Sequence, residues 1–172
     1  VTASHAIDHP QQLGGSGFPT FQQALLIAFR VTIGPPPLRP FAGVHDGSGT
    51  HDESELSVAQ IAALHEYGAA EGRIPERSFL RSTIDRDKAA ILGDMRDAAD
   101  EVLQGKDPIP AADRLGFKTS ARVAQTVRDG IAPPLSEWTL ERRRAKGSSG
   151  ANEKPLIDTG QLIGSIDHEV RR

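Results

Sequence analysis

The sequence predicts an α+β fold, because two long helical patterns lie between segments that favour strands. One helix is expected to begin near Ser78 and a second to run from Ala111 to Ile131, each with apolar residues at steps of three, four or seven. A short turn between them favours an antiparallel pair. The β-branched segment from Arg30 to Gly34 and the segment from Ile166 to Val170 are predicted strands.

Composition narrows the class of protein. The 172 residues are enough for one domain, but 37% hydrophobic residues, 17 Gly and 12 Pro predict long connections that order only against a partner. The formal net charge of -3 gives no general signal for nucleic-acid binding. The chain has 0 Cys, which excludes disulfides and thiolate metal sites. The longest apolar stretch, Ala24 to Phe29, is far below the ~20 residues of a membrane span, so we expect no membrane partner.

The domain boundaries follow from Gly-rich and polar segments. Residues 1–18 are a predicted flexible N-terminal arm, and residues 19–172 a single domain. Within this domain we expect a short helix over Phe21–Phe29 and an extended acidic loop over residues 38–56, where Pro40–Val44 is only a weak strand candidate. The acidic residues of this region, which has no Lys or Arg between 45 and 57, are Asp46, Asp52, Glu53 and Glu55.

Several helix ends carry capping signals. Ser57 with Gln60 predicts a capping box, and Gly68 a left-handed stop to the same helix. Ser136 is expected to cap a basic helix that runs to about Lys146. Asp158, with Gln161 three residues later, predicts a second box on a short helix.

Candidate catalytic groups each have a structural interpretation. His65-Glu66 is half of a zinc-protease motif, but Ala69 stands where the second His is required. One alternative is a metal-dependent hydrolase that uses loop histidines, namely His45, His51 and Asp52 together with His65. A flexible loop preorganises ligands poorly, so we favour solvated loop residues. Asp158 is better explained as a helix cap than as a catalytic carboxylate. We therefore predict no enzyme and no cofactor.

One basic cluster is a candidate contact with DNA or protein. Arg142, Arg143 and Arg144 follow Trp138 by about one helical turn. A DNA-contacting adaptor is the second alternative, but Arg and Trp are both enriched at protein interfaces, so a partner subunit or plain solvation is favoured. Together with the acidic segment, the cluster gives the chain patches of opposite sign, which suit head-to-tail contacts between copies.

Two blocks of the sequence resemble a known family. The first contains His65-Glu66-Tyr67-Gly68 followed by Ile74-Pro75-Glu76-Arg77-Ser78-Phe79-Leu80, and the second extends from Pro134 to Ile166 and includes Asp158-Thr159-Gly160-Gln161-Leu162. In order and spacing they resemble bacteriophage tail-completion and virion-morphogenesis proteins, over about residues 20 to 172.

The resemblance implies a small α+β subunit with an antiparallel sheet packed against the two long helices. It also implies a structural virion protein that forms a ring, expected to be hexameric, at the head–tail junction of a tailed phage. The implied partners are copies of itself, neighbouring neck or connector and tail-tube proteins, and genomic DNA in passing. Assembly is expected in the host cytoplasm. A protonated His65 at a helix C-terminus would be favoured by the helix dipole.

Overall fold

The computed structural model describes residues 4–6, 25–30, 38–45, 48–50, 55–69, 73–147 and 153–172, with the backbone alone for 4–6 and 25–30. The strands are β1 (Ser4–Ala6), β2 (Leu25–Arg30), β3 (Arg39–Val44) and β4 (Ile166–Arg171). The helices are α1 (Val58–Tyr67), α2 (Phe79–Leu103), α3 (Pro108–Asp129), α4 (Glu137–Ala145) and α5 (Gln161–Gly164). The predicted α+β class is confirmed.

The strands form one antiparallel sheet in the order β1-β2-β3-β4. In β3, Pro40 is aligned with Val170 of β4, while the pairing of β3 with β2 ends at Phe41. Proline lacks an amide N–H and is tolerated only where the ladder needs no donor. Pro40 therefore lies at the point where the strand has a partner on one side alone.

Helices α2 and α3 form the predicted antiparallel pair. Asp94 of α2 forms ion pairs with Lys118 and Arg122 of α3, at 2.7 and 2.6 Å, while Glu101 pairs with Arg114 further along. Residues later in α2 thus contact residues earlier in α3, as expected for antiparallel helices. Pro108 occupies the first turn of α3, where its missing N–H is harmless, behind the Asp107 cap.

The core lies between the sheet, α1 and the helix pair. Helix α3 packs on β3 and β4, and α2 packs along α3. The apolar cluster draws on every layer and consists of Val44, Val58, Ala59, Ala62, Phe79, Leu80, Ile91, Val123, Val127, Leu156 and Leu162. Because these residues come from both halves of the chain, burial of this cluster holds strand β3 and the C-terminal segment against the same helices.

The capping signals read from the sequence are partly confirmed. Ser57 accepts a hydrogen bond from the Gln60 N–H at 3.1 Å, and the Gln60 side chain accepts one from the Ser57 N–H at 2.8 Å, which is the predicted box. Ser136 caps α4 as expected. The final strand and the second long helix also agree with the prediction to within a few residues.

Three predictions near the N-terminus need correction. The helix expected over Phe21–Phe29 was wrong over its described part, because Leu25–Arg30 is strand β2. A short apolar run fits the periodicity of a helix or of a strand, and pairing with β3 favours the strand. The loop expected over 38–56 begins later than predicted, because the weak strand candidate Pro40–Val44 is confirmed as part of the inner strand β3. The expected arm over 1–18 contains strand β1, while the strand predicted beyond Arg30 lies outside the described residues.

Candidate functional site

Glu66 is the centre of a polar joint between α1 and α2. Its side chain is 1% exposed, yet its carboxylate accepts hydrogen bonds from the Ser78 hydroxyl at 2.6 Å, the Leu80 N–H at 2.9 Å and the Arg81 N–H at 3.1 Å. These donors belong to the first turn of α2, whose own cap residue Ser78 makes no side-chain capping bond. A carboxylate at a helix N-terminus is stabilised by the free N–H groups and by the helix dipole. Glu66 is therefore a cap supplied by a different helix.

Arg81 supplies the positive charge of the same joint. Its Nε donates to Glu66 Oε1 at 3.1 Å, and its Nη2 donates to the Glu66 carbonyl at 2.8 Å and to Glu76 Oε1 at 2.7 Å. The guanidinium also lies over the Tyr67 ring, 5.3 Å from its centroid. The buried carboxylate is thus paired and hydrogen-bonded, as a buried charge must be.

Arg77 connects this joint to the segment before α4. Its side chain is buried, and it donates from Nε to the Pro133 carbonyl at 2.8 Å and from Nη2 to the Pro134 carbonyl at 3.1 Å. Its backbone N–H donates to the His65 carbonyl at 2.7 Å. One residue therefore links the end of α1, the entry to α2 and a turn 56 positions away along the chain.

Arg143 performs the matching role on α4. Its Nη1 donates to the carbonyls of Lys154 at 3.1 Å and Ile157 at 2.6 Å, and its Nε lies 3.4 Å from Asp158 Oδ1. It is the buried residue of α4. The predicted basic patch is therefore smaller than the sequence indicated, because Arg143 holds the loop before α5 instead of facing solvent.

His65 is close enough to both arginines for their charges to act on its ring. Burial, and then the charges of Arg77 and Arg143, lower the pKa of His65 to about 4. The side chain is therefore neutral near pH 7, and the favourable interaction of a protonated His65 with the helix dipole is not used there. The dipole contribution is outweighed by desolvation and by two neighbouring cations.

The other residues of the first block are packed against this joint. Gly68 ends α1 with φ +72°, and a Cβ there would lie 3.1 Å from backbone atoms of both Ile74 and Glu76. Only glycine suits such a combination of positive φ and close approach. Phe79 is fully buried in the apolar core, and Pro75 is half-buried in the connection to α2.

The capping box predicted at Asp158 was wrong. Helix α5 begins after Gly160, whose φ of +83° lies in the left-handed region and which as the cap residue makes no side-chain capping bond. Thr159 Oγ1 accepts from the Gln161 N–H at 3.3 Å, while Asp158 faces Arg143. Leu162 is buried in the core. Asp158, Thr159, Gly160 and Leu162 therefore hold the C-terminal segment in place. Two of their contacts, with Arg143 and with the core, could not be predicted from the spacing of neighbouring residues.

What remains of the basic cluster lies on the exposed side of α4. Trp138 is 66% exposed, and the Arg142 guanidinium lies over its ring at 4.8 Å from the centroid. Arg144 forms an ion pair with Glu153 at 2.9 Å. An aromatic ring stacked with a cation is a surface suited to protein or anionic partners.

The histidines proposed as metal ligands are not brought together among the residues that can be checked. His45 Nδ1 lies 3.6 Å from Glu169, whereas His65 is partly buried near two arginines; His51 and Asp52 lie outside the described residues. Within the described part of the chain no group of His, Asp and Glu has a metal-binding arrangement. No described helix has both the length and the apolar character of a membrane span.

Comparison with protein-family models, with curated proteins and with solved structures gives no match to this chain.

Proposed function

We propose that this protein is a structural component of a tailed-phage virion, an oligomeric ring subunit at the head–tail junction that acts in tail completion or head–tail joining. Its partners would be copies of itself and the adjoining connector and tail-tube proteins. The proposal rests on the resemblance of the two sequence blocks.

One observation supports the proposal most directly. Arg77 belongs to the first block and bonds Pro134 at the start of the second as well as Pro133 just before it, while Arg143 of the second block bonds the loop that precedes α5. Arg77 thus links the first block to the beginning of the second, and Arg143 holds the second block to itself. The buried charge of Glu66 is likewise used to hold the first turn of α2. Such use of buried charge suits a subunit that must keep its shape under assembly contacts.

The DNA-contacting alternative retains Arg142 and the exposed ring of Trp138. Arg143 and Arg144 are engaged with the loop before α5. A salt titration of DNA binding, with wild type and Arg142→Ala compared, separates this alternative from a protein-only ring, since phosphate contacts weaken steeply with salt. For the hydrolase alternative, metal analysis of the purified protein with His45→Ala as control is the corresponding test.

The proposal is tested by deleting the gene from the phage or prophage genome that encodes it. We expect filled heads and separate tails in electron micrographs, and restored particles when the wild-type gene is supplied from a plasmid. Joined, infectious particles from the deletion strain would contradict the proposal.

Complementation with matched variants tests the role of the joint. Glu66→Gln removes the buried charge, whereas Glu76→Gln removes an exposed carboxylate that pairs with the same Arg81. We expect the Glu66 variant to restore fewer joined particles at elevated temperature, and the Glu76 variant to restore them as well as wild type. Equal complementation by both variants would show that the buried charge of the joint is not needed for head–tail joining.

A further inference from the structure

Strand β4 is one of the two outer strands of the sheet, the other being β1, and among the described strands it pairs with β3 alone. Two observations show which of its backbone groups point outward. The His168 N–H donates to the Asp167 carboxylate at 2.7 Å, and Val170 is aligned with Pro40, which has no N–H to give. In an antiparallel ladder the N–H and C=O of one residue point to the same side, and the sides alternate. The outward groups therefore belong to residues 166, 168 and 170.

The side chains of β4 have a self-complementary order of charge. Asp167, Glu169 and Arg171 alternate with the residues that face α3, so the three share the outer face of the sheet. If a second β4 pairs antiparallel about Glu169, Asp167 of each copy is opposite Arg171 of the other. Glu169 then meets its own counterpart, and its charge is offset within each chain by Arg171.

An exposed aromatic side chain lies beside the middle of this edge. Phe117 of α3 is 61% exposed, and its ring makes an edge-on contact with His168 at 5.9 Å between centroids. Gly116 allows this approach, since a Cβ there would lie 3.0 Å from the His168 ring. In the register centred on Glu169, Val170 of a second copy would be opposite His168. The apolar surface of Phe117 would then be covered near the two-fold axis.

We propose that β4 pairs with β4 of a second copy, which joins the two sheets into one antiparallel sheet across a two-fold axis. Outward backbone groups of β4, which have no partner strand among the described residues, supply the hydrogen bonds, and the His168 N–H exchanges its bond to Asp167 for one across the interface. The charge order sets the register, and Phe117 supplies apolar contact. Two-fold contacts of this kind are isologous. The inference does not depend on the proposed role in a virion. Because a single strand pair is a small interface, we expect association that varies with concentration, on the order of micromolar or weaker.

Single cysteines test the register directly, because the chain has 0 Cys of its own. Residue 169 would form a non-hydrogen-bonded pair with its counterpart, where the Cβ atoms approach closely enough for a disulfide. We expect Glu169→Cys to give a covalent dimer on mild oxidation with diamide. The matched control is Asp100→Cys, an exposed position on α2, which should stay monomeric. No dimer from the Glu169 variant, or equal cross-linking of both variants, would overturn the proposal.

Exchange of the charges at Asp167 and Arg171 tests whether these residues contact a second copy or act only within one chain. In sedimentation velocity at low salt, Asp167→Arg and Arg171→Asp should each weaken dimerisation at least several-fold, and the double variant should recover it. A dimer that is unchanged by both single reversals belongs to another surface and overturns the proposal. Failure of the double variant to recover, with wild-type circular dichroism, would do the same.

Discussion

The buried charge of Glu66 provides the sharpest test of the joint. Its two carboxylate oxygens accept different numbers of hydrogen bonds. Oε1 accepts three, from the Ser78 hydroxyl and from the backbone and side chain of Arg81, while Oε2 accepts one from the Leu80 N–H. In Glu66→Gln the amide oxygen would take the place of Oε1. The amide NH₂ would then face the Leu80 N–H, donor against donor, so one cap bond is lost and the other bonds lose their charge.

The magnitude follows from these contacts. Loss of a helix cap costs about 1 kcal/mol, and loss of charge from the remaining hydrogen bonds to Arg81 and Ser78 costs about 2 kcal/mol more. We therefore expect Glu66→Gln to lower the free energy of unfolding by about 3 kcal/mol. Glu76→Gln is the matched control: it removes a carboxylate that is 55% exposed from the same Arg81, and should cost less than about 1 kcal/mol.

Urea titration followed by circular dichroism measures both values, provided that the slope of unfolding free energy against urea is the same in all three proteins. Equal losses in the two variants, or a loss below about 1 kcal/mol for Glu66→Gln, would refute the assignment of Glu66 as a buried cap.

Three further predictions concern the same joint and the contact between α3 and the sheet. The pKa of His65 is lowered to about 4 from an ordinary 6.5, so the unfolded chain binds the proton first as pH falls. The stability that His65 contributes is therefore complete above about pH 6.5 and falls towards pH 4, by at most about 3 kcal/mol. In His65→Gln the difference in unfolding free energy between these two pH values should shrink accordingly, and an unchanged difference would contradict the assignment. Gly68→Ala should lower the thermal midpoint of unfolding by the equivalent of about 1 to 3 kcal/mol, because a Cβ meets backbone at 3.1 Å with φ at +72°, and a wild-type midpoint would show that this turn can relax. Gly116→Ala should lower the free energy of unfolding, measured by urea titration, by about 1 to 2 kcal/mol, because the added Cβ contacts His168. The control is Gly93→Ala, at a helical glycine with open space around it, which should be neutral or stabilising. The reverse order would refute the packing of α3 on β4.

Local sequence signals predicted the elements whose stability is itself local. The capping box of Ser57 and Gln60 and the cap at Ser136 involve residues three apart, so their spacing in the sequence is enough to identify them. The two long helices were predicted because apolar positions repeat along each of them. The predicted α+β class followed from these elements.

The errors arose where distant contacts decide the local structure. Leu25–Arg30 fits a helix or a strand, and only its pairing with β3 makes it a strand. Asp158 has the spacing of a helix cap but faces Arg143, 15 positions earlier by residue number. The capping role of Glu66 was also missed, since its hydrogen-bond partners begin 12 residues further along the chain. The sequence offered one hint, because Arg81 stands three residues after Ser78 where a local capping box needs Glu or Gln.

The position of this protein in an intact particle tests the proposed function most directly. A cryo-electron microscopy reconstruction of virions from the encoding phage, with particles that carry a tagged copy for comparison, would locate it. We predict a closed ring between the head connector and the first layer of the tail tube, into which the described α2–α3 pair and sheet fit. Infectious virions that contain no copy of the chain, or that carry it away from the head–tail junction, would contradict the account.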